Sequence, residues 1–156
     1  MAGTISKDTP LTEITLRRYE KPYDLPKREL VRKLCLSAGL LQPGDSRDVI
    51  VDVLCVLLEA KRQKQGLSSD EIRELVIRLR RKQNMPLVGV ASSNIRRQLK
   101  RLRDIFLVQK VKNNYVISEF ADLAEIFDEK LLKFLLPSIV ARVQEYFKAI
   151  DEKFKN

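Results

Sequence analysis

The first periodic stretch of apolar residues follows Pro26 and predicts a helix. Its apolar positions recur at helical spacing and are Leu30, Val31, Leu34 and Cys35. Proline suits the first turn of a helix, because the N–H that it lacks has no partner there, and Gly39 suits a C-terminal cap. We therefore expect a helix at 27–38, followed by a turn at Pro43-Gly44.

The segment Ser46–Lys64 is rich in β-branched residues, yet its charges favour a helix over a strand. Four charged side chains fall within one narrow arc at about 100° per residue. They are Asp48, Asp52, Glu59 and Arg62. Almost every residue off that arc between 49 and 58 is apolar, which predicts the central, mostly buried helix of a domain. The same pattern predicts that the carboxylates form an exposed stripe, and that Gly66 ends the helix.

Two more helices are predicted, the first from a capping box and the second from its apolar period. Ser68 and Glu71 have the spacing of a capping box, and the helix that they open is expected to stop at Asn84-Met85-Pro86. Its inward residues would be Ile72, Leu75, Val76 and Leu79. Ser92-Ser93 precedes a further helix, whose inward residues would be Ile95, Leu99, Leu102 and Phe106.

The apolar period changes after Ile105, where β-forming residues stand on either side of Asn113-Asn114. Asparagine tolerates the left-handed conformation that tight hairpin turns require, so a β-hairpin with its turn at these two residues is predicted. The fold class is therefore mainly α with a small β-hairpin. We divide the chain into an N-terminal extension with a loose start at Met1–Pro10 and one helix (1–44), a central domain (45–118) and a C-terminal helical arm (119–156).

The C-terminal arm carries an amphipathic stripe. The segment is broken at Pro137-Ser138, and beyond this break the apolar residues fall within an arc of about 120° at the helical period. They are Ile139, Val140, Val143, Tyr146, Phe147, Ile150 and Phe154. Such a stripe must be covered, either by the protein's own domain, where the helix at 27–38 is available, or by a second copy of the chain.

Composition restricts the possible chemistry. The 156 residues include no histidine, which excludes His-based catalytic triads, imidazole bases and zinc sites that need a His ligand. Cys35 and Cys55 lie in apolar runs without metal or redox spacing, which fits two buried, reduced thiols. No uncharged apolar stretch approaches the ~20 residues of a membrane span, and Met1–Asp8 lacks a signal-sequence pattern. We expect a cytoplasmic protein, associated with the nucleoid if the source is prokaryotic.

The positive charge is concentrated in the central domain. The chain has 30 Lys and Arg against 21 Asp and Glu, a net charge of +9, which favours polyanionic partners. Residues 46–118 carry 16 basic and 7 acidic groups, an excess equal to the whole net charge. Within Arg96–Lys112, seven basic residues stand against the single acid Asp104. This local excess indicates a nucleic-acid footprint.

The order of these elements resembles the winged helix-turn-helix family of DNA-binding proteins, broadly the MarR and PadR groups of transcription regulators. The resemblance covers about 45–118 and is carried by LSSDEI at 67–72, GVASSNIRRQLKRL at 89–102 and VQKVKNNYVIS at 108–118. The chain departs from the family pattern in its long second helix and in the extended connection at 83–91. The resemblance implies that the basic helix enters the major groove of duplex DNA, that the hairpin is a wing on the DNA backbone, and that the C-terminal arm holds a homodimer together.

The resemblance assigns site residues by position. Those implied to contact DNA are Ser93, Arg96, Arg97, Lys100 and Arg101 on the helix, with Lys110, Lys112 and Asn113 on the wing. Arginine offers a planar fork to guanine or phosphate, lysine offers a mobile charge, and a helix N-terminus with serines can donate to phosphate. The implied dimer interface is Ile139, Val143, Tyr146, Phe147, Ile150 and Phe154. The expected function is a duplex DNA-binding transcription regulator without catalytic activity, cofactor or metal.

Other interpretations stay open at this point. The basic helix face could simply be solvated. The carboxylates Asp48, Asp52 and Glu59 could hold a divalent metal, although no further motif completes such a site. Three tyrosines could stack on the bases of single-stranded nucleic acid, namely Tyr19, Tyr23 and Tyr115, although the last suits core packing equally well. The domain could also serve as a protein-interaction module in a replication, repair or transcription assembly, or bind RNA.

Overall fold

The computed structural model describes residues 8–156, so most of the loose terminus predicted for Met1–Pro10 lies outside the described residues. The elements are α1 (Lys27–Ser37), α2 (Val49–Arg62), α3 (Ser69–Lys82), α4 (Ser92–Asp104), β1 (Val108–Val111), β2 (Asn114–Ile117), a 3-10 turn (Ser118–Phe120), α5 (Leu123–Ile126), a π-helical segment (Phe127–Leu135) and α6 (Leu136–Lys153). β1 and β2 form a two-stranded antiparallel sheet. The mainly helical class with a small antiparallel sheet is therefore confirmed.

α2 is the central helix, as its sequence predicts. Nine of its 14 residues are buried, and it packs against α1, α3, α4 and β2. Val51, Val53 and Leu54 are fully buried. A helix surrounded on most sides loses the polar face of a surface helix, which explains why its sequence is apolar nearly all round.

The predicted exposed stripe of carboxylates on α2 is wrong for two of its three members. Asp48 and Asp52 are buried, and only Glu59 is exposed. Arg28 reaches them from α1: its Nε donates to Asp52 Oδ1 at 2.9 Å and its Nη2 to Asp48 Oδ2 at 3.1 Å. Arg80 reaches them from α3, its Nη1 donating to Asp48 Oδ1 at 3.3 Å and to Asp52 Oδ2. The N-terminal part of the charged arc therefore faces two arginines of neighbouring helices, and only its C-terminal part, at Glu59 and Arg62, faces water.

This buried network of two arginines and two carboxylates joins the first three helices. A buried charge is tolerated only when opposite charges and hydrogen bonds compensate it. Besides Arg28 and Arg80, the partly exposed Arg32 contributes here, because its Nε lies 3.7 Å from Asp48 Oδ2. Burial by itself would lower the pKa of Arg28, but its hydrogen bonds to Asp52 and Asp48 outweigh that effect and raise it. Arg28 therefore stays charged at any pH at which the protein is folded.

The capping box of α3 is confirmed, whereas α4 begins at Ser92 without a side-chain cap. Ser68 Oγ accepts from the Glu71 N–H at 3.2 Å, and Glu71 Oε1 accepts from the Ser68 N–H at 2.9 Å, which is the predicted capping box. The backbone hydrogen bond from Ser68 lowers the pKa of the Glu71 carboxyl. The fully buried residues of the two helices are Ile72, Val76, Ile95, Leu99 and Leu102, while Leu75, Leu79 and Phe106 are partly buried.

The hairpin forms with its turn one residue earlier than predicted. Lys112 and Asn113 both have positive φ, 50° and 67°, as the two central residues of a type I′ turn require, and Asn114 already belongs to β2. The register pairs Val108 with Ile117. Tyr115 is buried, so core packing and not base stacking explains this tyrosine.

A short strand contact that the sequence does not signal extends the hairpin. The Leu67 N–H donates to the Tyr115 carbonyl at 3.1 Å, and the Tyr115 N–H donates back to Leu67 at 2.7 Å. Leu67 lies directly before the capping box of α3. The connection between α2 and α3 is thereby tied to β2.

The extended N-terminal segment closes the end of α1. The Arg17 N–H donates to the Ser37 carbonyl at 2.8 Å, and the Arg17 guanidinium donates to the Leu36 carbonyl at 2.8 Å. These bonds satisfy carbonyls that a helix end leaves without a partner. Gly39, with φ +73°, is needed here, because a Cβ on it would stand 2.5 Å from Thr15 Cβ.

The C-terminal arm is continuous, so the predicted break at Pro137-Ser138 is wrong. Pro137 is the second residue of α6, and the preceding π-helical segment carries the chain into it without a turn. The arm is anchored by an edge-to-face contact of Phe134 with Phe106, their ring centroids 5.8 Å apart. Its anchoring side chains are buried at Ile126, Leu131 and Leu135. In α6 itself no residue is buried, so its stripe is not folded back onto α1.

Candidate nucleic-acid interface

α4 presents its basic residues on the side opposite the core. Exposed along this face are Ser93, Arg96, Arg97, Lys100 and Arg103. The residues that fix its orientation, Ile95, Leu99 and Leu102, are completely buried. The helical phase that the sequence predicts is therefore the observed one, and it directs a row of positive charges into solvent.

The connection before α4 is long but held at three points. Arg80 Nε donates to the Pro86 carbonyl at 2.8 Å, and Arg73 Nε donates to the Val90 carbonyl at 2.7 Å. From α4, Asn94 Nδ2 donates to the Gly89 carbonyl at 2.7 Å. Gly89 adopts φ +80°, a conformation that other residues rarely accept. These bonds fix α4 against α3 despite the extended loop.

Arg101 differs from the other predicted contact residues of α4. It is half-buried, and its Nη1 donates to Gln98 Oε1 at 2.9 Å. Arg101 is therefore placed less favourably for an external contact than Arg97 or Lys100, which are both exposed.

A shallow groove between α4 and β1 adds a basic residue, Arg103, that the sequence-based assignment omits. The groove is lined by Lys100, Arg103, Asp104, Val108, Gln109, Lys110 and Val111. Arg103 stands seven residues after Arg96, about two helical turns, so the helical period alone could have placed both on one side. Lys100 Nζ is 3.1 Å from Asp104 Oδ2, an exposed pair of the kind that contributes little to stability and exchanges readily.

The hairpin supplies the remaining basic side chains. Lys110 Nζ lies 5.7 Å from the centre of the Tyr115 ring, a cation–π distance that restrains the lysine beside the groove. Lys112 and Asn113 are exposed at the turn. Lys100, Arg103 and Lys110 line one groove, while Lys112 and Asn113 extend the basic surface to the hairpin tip.

The apolar stripe of α6 is the second unusual surface. Its exposed fractions are 46% for Val140, 48% for Val143, 57% for Ile150, 67% for Tyr146, 71% for Phe147 and 82% for Phe154. Ile139, which the sequence assigns to the same stripe, is half-buried and packs partly against the core. Exposed apolar faces are common at interaction sites of proteins.

The carboxylates of α2 do not form a metal site. Asp48 and Asp52 form ion pairs with the guanidinium groups of Arg28 and Arg80, and Glu59 forms one with Arg62 at 2.8 Å. Among residues 8–156, no three His, Cys, Asp or Glu side chains are grouped so that they could hold a metal ion. The metal interpretation of these carboxylates is therefore wrong.

The two cysteines are free thiols. Cys35 is buried and Cys55 half-buried, and burial raises the pKa of Cys35 to about 12 and that of Cys55 to about 11. Both thiols are therefore protonated at neutral pH. The predicted burial is confirmed for Cys35, whereas Cys55 is only half-buried.

Comparisons with known proteins add no relative. No protein-family model matches the chain, and neither a curated protein nor a solved structure is significantly similar to it. In the described part of the chain, no helix combines the length and apolar character that crossing a membrane requires.

Proposed function

We propose that this protein binds duplex DNA as a winged helix-turn-helix transcription regulator and acts as a homodimer. The observation that carries the proposal is the exposed basic face of α4, held rigidly beside a basic hairpin by a fully buried opposite face. A polyanion with a regular surface is the partner that such a row of positive charges fits.

The order of elements supports the proposal. In a winged helix-turn-helix, a first helix and a short strand precede the two helices of the motif, and a hairpin follows. Here α2, the Leu67 strand contact, α3, α4 and the β1–β2 hairpin occur in that order. In this arrangement α4 is the recognition helix and the hairpin is the wing.

Each basic group then has a role that its chemistry suits. Arg96 and Arg97 lie near the N-terminal end of α4, where a recognition helix contacts base edges, and their planar forks match guanine O6 and N7. Lys100, Arg103 and Lys110 line the groove between helix and wing and would hold the DNA backbone. The exposed Lys100–Asp104 pair opens at low cost when a phosphate replaces the carboxylate.

The α6 stripe would join two copies of the chain. Two-fold symmetry pairs the two recognition helices, which would meet successive major grooves about 34 Å apart. The operator of such a dimer is a near-palindrome. This feature distinguishes the proposal from a winged domain that serves only as a protein-interaction module.

Replacing Arg97 and Lys100 by alanine together is expected to weaken binding to duplex DNA without lowering stability. Both side chains are exposed, and removing one phosphate contact should reduce the slope of log affinity against log salt by roughly one. The measurement is a salt series of binding to random duplex, single-stranded DNA and structured RNA.

A matched control for this double variant separates position from net charge. Lys130→Ala with Lys148→Ala removes the same charge from exposed positions on the C-terminal arm and should leave the salt slope near its original value. Equal slopes in the α4 variant and the unaltered protein, with folding verified, would refute the assignment of α4. If the protein preferred structured RNA over duplex DNA, the basic face of α4 would be assigned to RNA binding instead.

Lys112→Asn is expected to weaken DNA binding while stability stays equal or rises slightly. Lys112 occupies a left-handed position of the turn, which asparagine accepts at lower cost than lysine, and the substitution removes one charge at the wing tip. Chemical denaturation and the salt slope measure the two effects separately. A loss of stability would contradict the turn at Lys112-Asn113, and an unchanged slope would contradict the wing contact.

A further inference from the structure

The apolar residues of α6 and of its C-cap Phe154 have the spacing of a coiled-coil seam, with Leu136 half-buried and the others exposed. Six apolar residues alternate at intervals of four and three, which is the a and d pattern of a heptad repeat. They are Leu136, Val140, Val143, Phe147, Ile150 and Phe154. At 1.5 Å per residue, α6 is about 27 Å long, so the seam runs along the whole helix.

From this seam we infer that α6 pairs with α6 of a second copy in antiparallel orientation, with the two-fold axis at the level of Glu145. The inference rests on the dimer of the proposed function and specifies its geometry. The reason is the match of side-chain volumes between the two copies. A helix pair packs well when a large side chain on one helix faces a smaller one on the other.

In the antiparallel arrangement every layer of the seam meets this condition. Phe154 faces Leu136 of the second copy, Ile150 faces Val140, and Phe147 faces Val143, and each pairing occurs twice about the axis. The register uses all six residues and leaves none over. One helix is thus complementary to itself.

A parallel pair would fill the same seam unevenly. Each residue would then face its own copy, so that Phe147 and Phe154 form crowded layers, whereas Val140 and Val143 form small ones. The antiparallel pair also sets the two helix dipoles in opposition, which is electrostatically favourable. Both considerations select the antiparallel pair.

The neighbours of the seam are compatible with this register. Tyr146 lies on one flank near the axis and meets the same residue of the second copy, and Gln144 does so on the other flank. Ile139 lies opposite Lys153, whose aliphatic stem can cover it while the ammonium group stays in water. Close to the axis, therefore, no like charges are forced together.

The exposed area is sufficient for a stable pair. The strongly exposed side chains of the stripe, three of them aromatic, bury on the order of 700 Å² on each copy when the helices pair, close to the ~800 Å² per partner of a standard interface. Because the stripe matches itself layer by layer, the occupant that it fits is a second copy of this chain.

Cysteine pairs introduced into the full-length protein test the orientation. Val140→Cys and Ile150→Cys in one chain should yield a covalent dimer in high yield with a short bifunctional thiol reagent. Either variant alone should stay uncoupled. In the antiparallel pair, residue 140 of one copy lies level with residue 150 of the other, so the two copies of one introduced cysteine are ten residues, about 15 Å, apart. Gln144→Cys alone should couple, because it lies near the axis. The unaltered protein, with Cys35 and Cys55 as its cysteines, is the control that should not couple.

Light scattering of the same samples separates failure of the inference from failure of the proposed function. We expect twice the 18.1 kDa mass of the chain at tens of micromolar. A dimer in which Val140→Cys and Ile150→Cys each couple alone would be parallel and would overturn the inference while leaving DNA binding intact. A monomer would overturn both the inference and the homodimer, and the salt series on α4 would still decide DNA binding by itself.

Discussion

Replacement of Arg80 by methionine is expected to lower the free energy of unfolding by about 3–5 kcal/mol, because it removes the most deeply buried partner of two buried carboxylates and leaves them with the partly exposed Arg28 and Arg32. Asp52 has no exposed surface at all, so water cannot compensate the missing partner. The substitution also removes the donor to the Pro86 carbonyl. Chemical denaturation followed by circular dichroism measures the loss.

The control for Arg80→Met lies on the same helix. Arg78→Met removes an equal charge from an exposed position of α3 and should change the free energy of unfolding by no more than about 0.5 kcal/mol. Arg80→Met combined with Asp52→Leu should recover part of the loss, because the one carboxylate that remains, Asp48, keeps Arg28 and Arg32 as partners. If Arg80→Met were as mild as the control, the network would not hold the three helices together.

The network also links stability to the candidate interface. Arg80 bonds to the carboxylates of α2 through Nη1 and to the connection before α4 through Nε. The position of the basic helix therefore depends in part on a group in the core. We expect DNA affinity to fall in Arg80→Met even at temperatures where the variant remains folded.

Helical phase and capping are the features that the sequence predicts well, because both depend on residues within a few positions of one another. The Ser68–Glu71 box and the buried row of α4 are examples. The environment of Asp52 depends instead on Arg28 and Arg80, which are 24 and 28 positions away. A charged arc predicts which side of a helix the charges share, and only the packed structure decides whether that side meets water.

The hairpin turn illustrates a different limit. Asn113-Asn114 and Lys112-Asn113 could each form the two central residues of the turn, so the local sequence does not fix the register of the hairpin. Tyr115 bonds to Leu67 and turns its side chain inwards, and a shift of one residue would turn that side chain out of the core. The contact with Leu67 is distant in sequence, so local turn preferences could not reveal it.

The candidate site shows the same division. Exposure of Ser93, Arg96, Arg97 and Lys100 follows from the phase of α4, which was predictable. Arg101 is half-buried and bonds to Gln98, and its degree of exposure depends on how α4 packs in the fold, which sequence alone does not give. The uncovered stripe on α6 was predictable as a stripe. The continuity of the arm was not, because the π-helical segment lets the chain pass Pro137 without a turn.

Leu99→Asp is expected to unfold the central domain. Leu99 is completely buried in the face of α4 that packs on α2 and α3. A carboxylate there would lack the arginine partners that make Asp52 tolerable, and an unpaired buried charge costs several kcal/mol, about the size of a domain's total stability. Thermal denaturation should show a melting temperature lowered by tens of degrees or no cooperative transition, and DNA binding should disappear with the fold.

Two control substitutions test whether the effect of Leu99→Asp arises from placing a charge at a buried position. Leu99→Met keeps an apolar side chain of similar volume and should cost less than about 1.5 kcal/mol. Lys100 is the next residue in the sequence and lies on the exposed face of α4. Lys100→Asp changes the charge by two units and should leave the protein folded while weakening its binding to duplex DNA. If Leu99→Asp melted like Lys100→Asp, the phase of α4 would be wrong, and every DNA contact inferred from that phase would have to be reassigned.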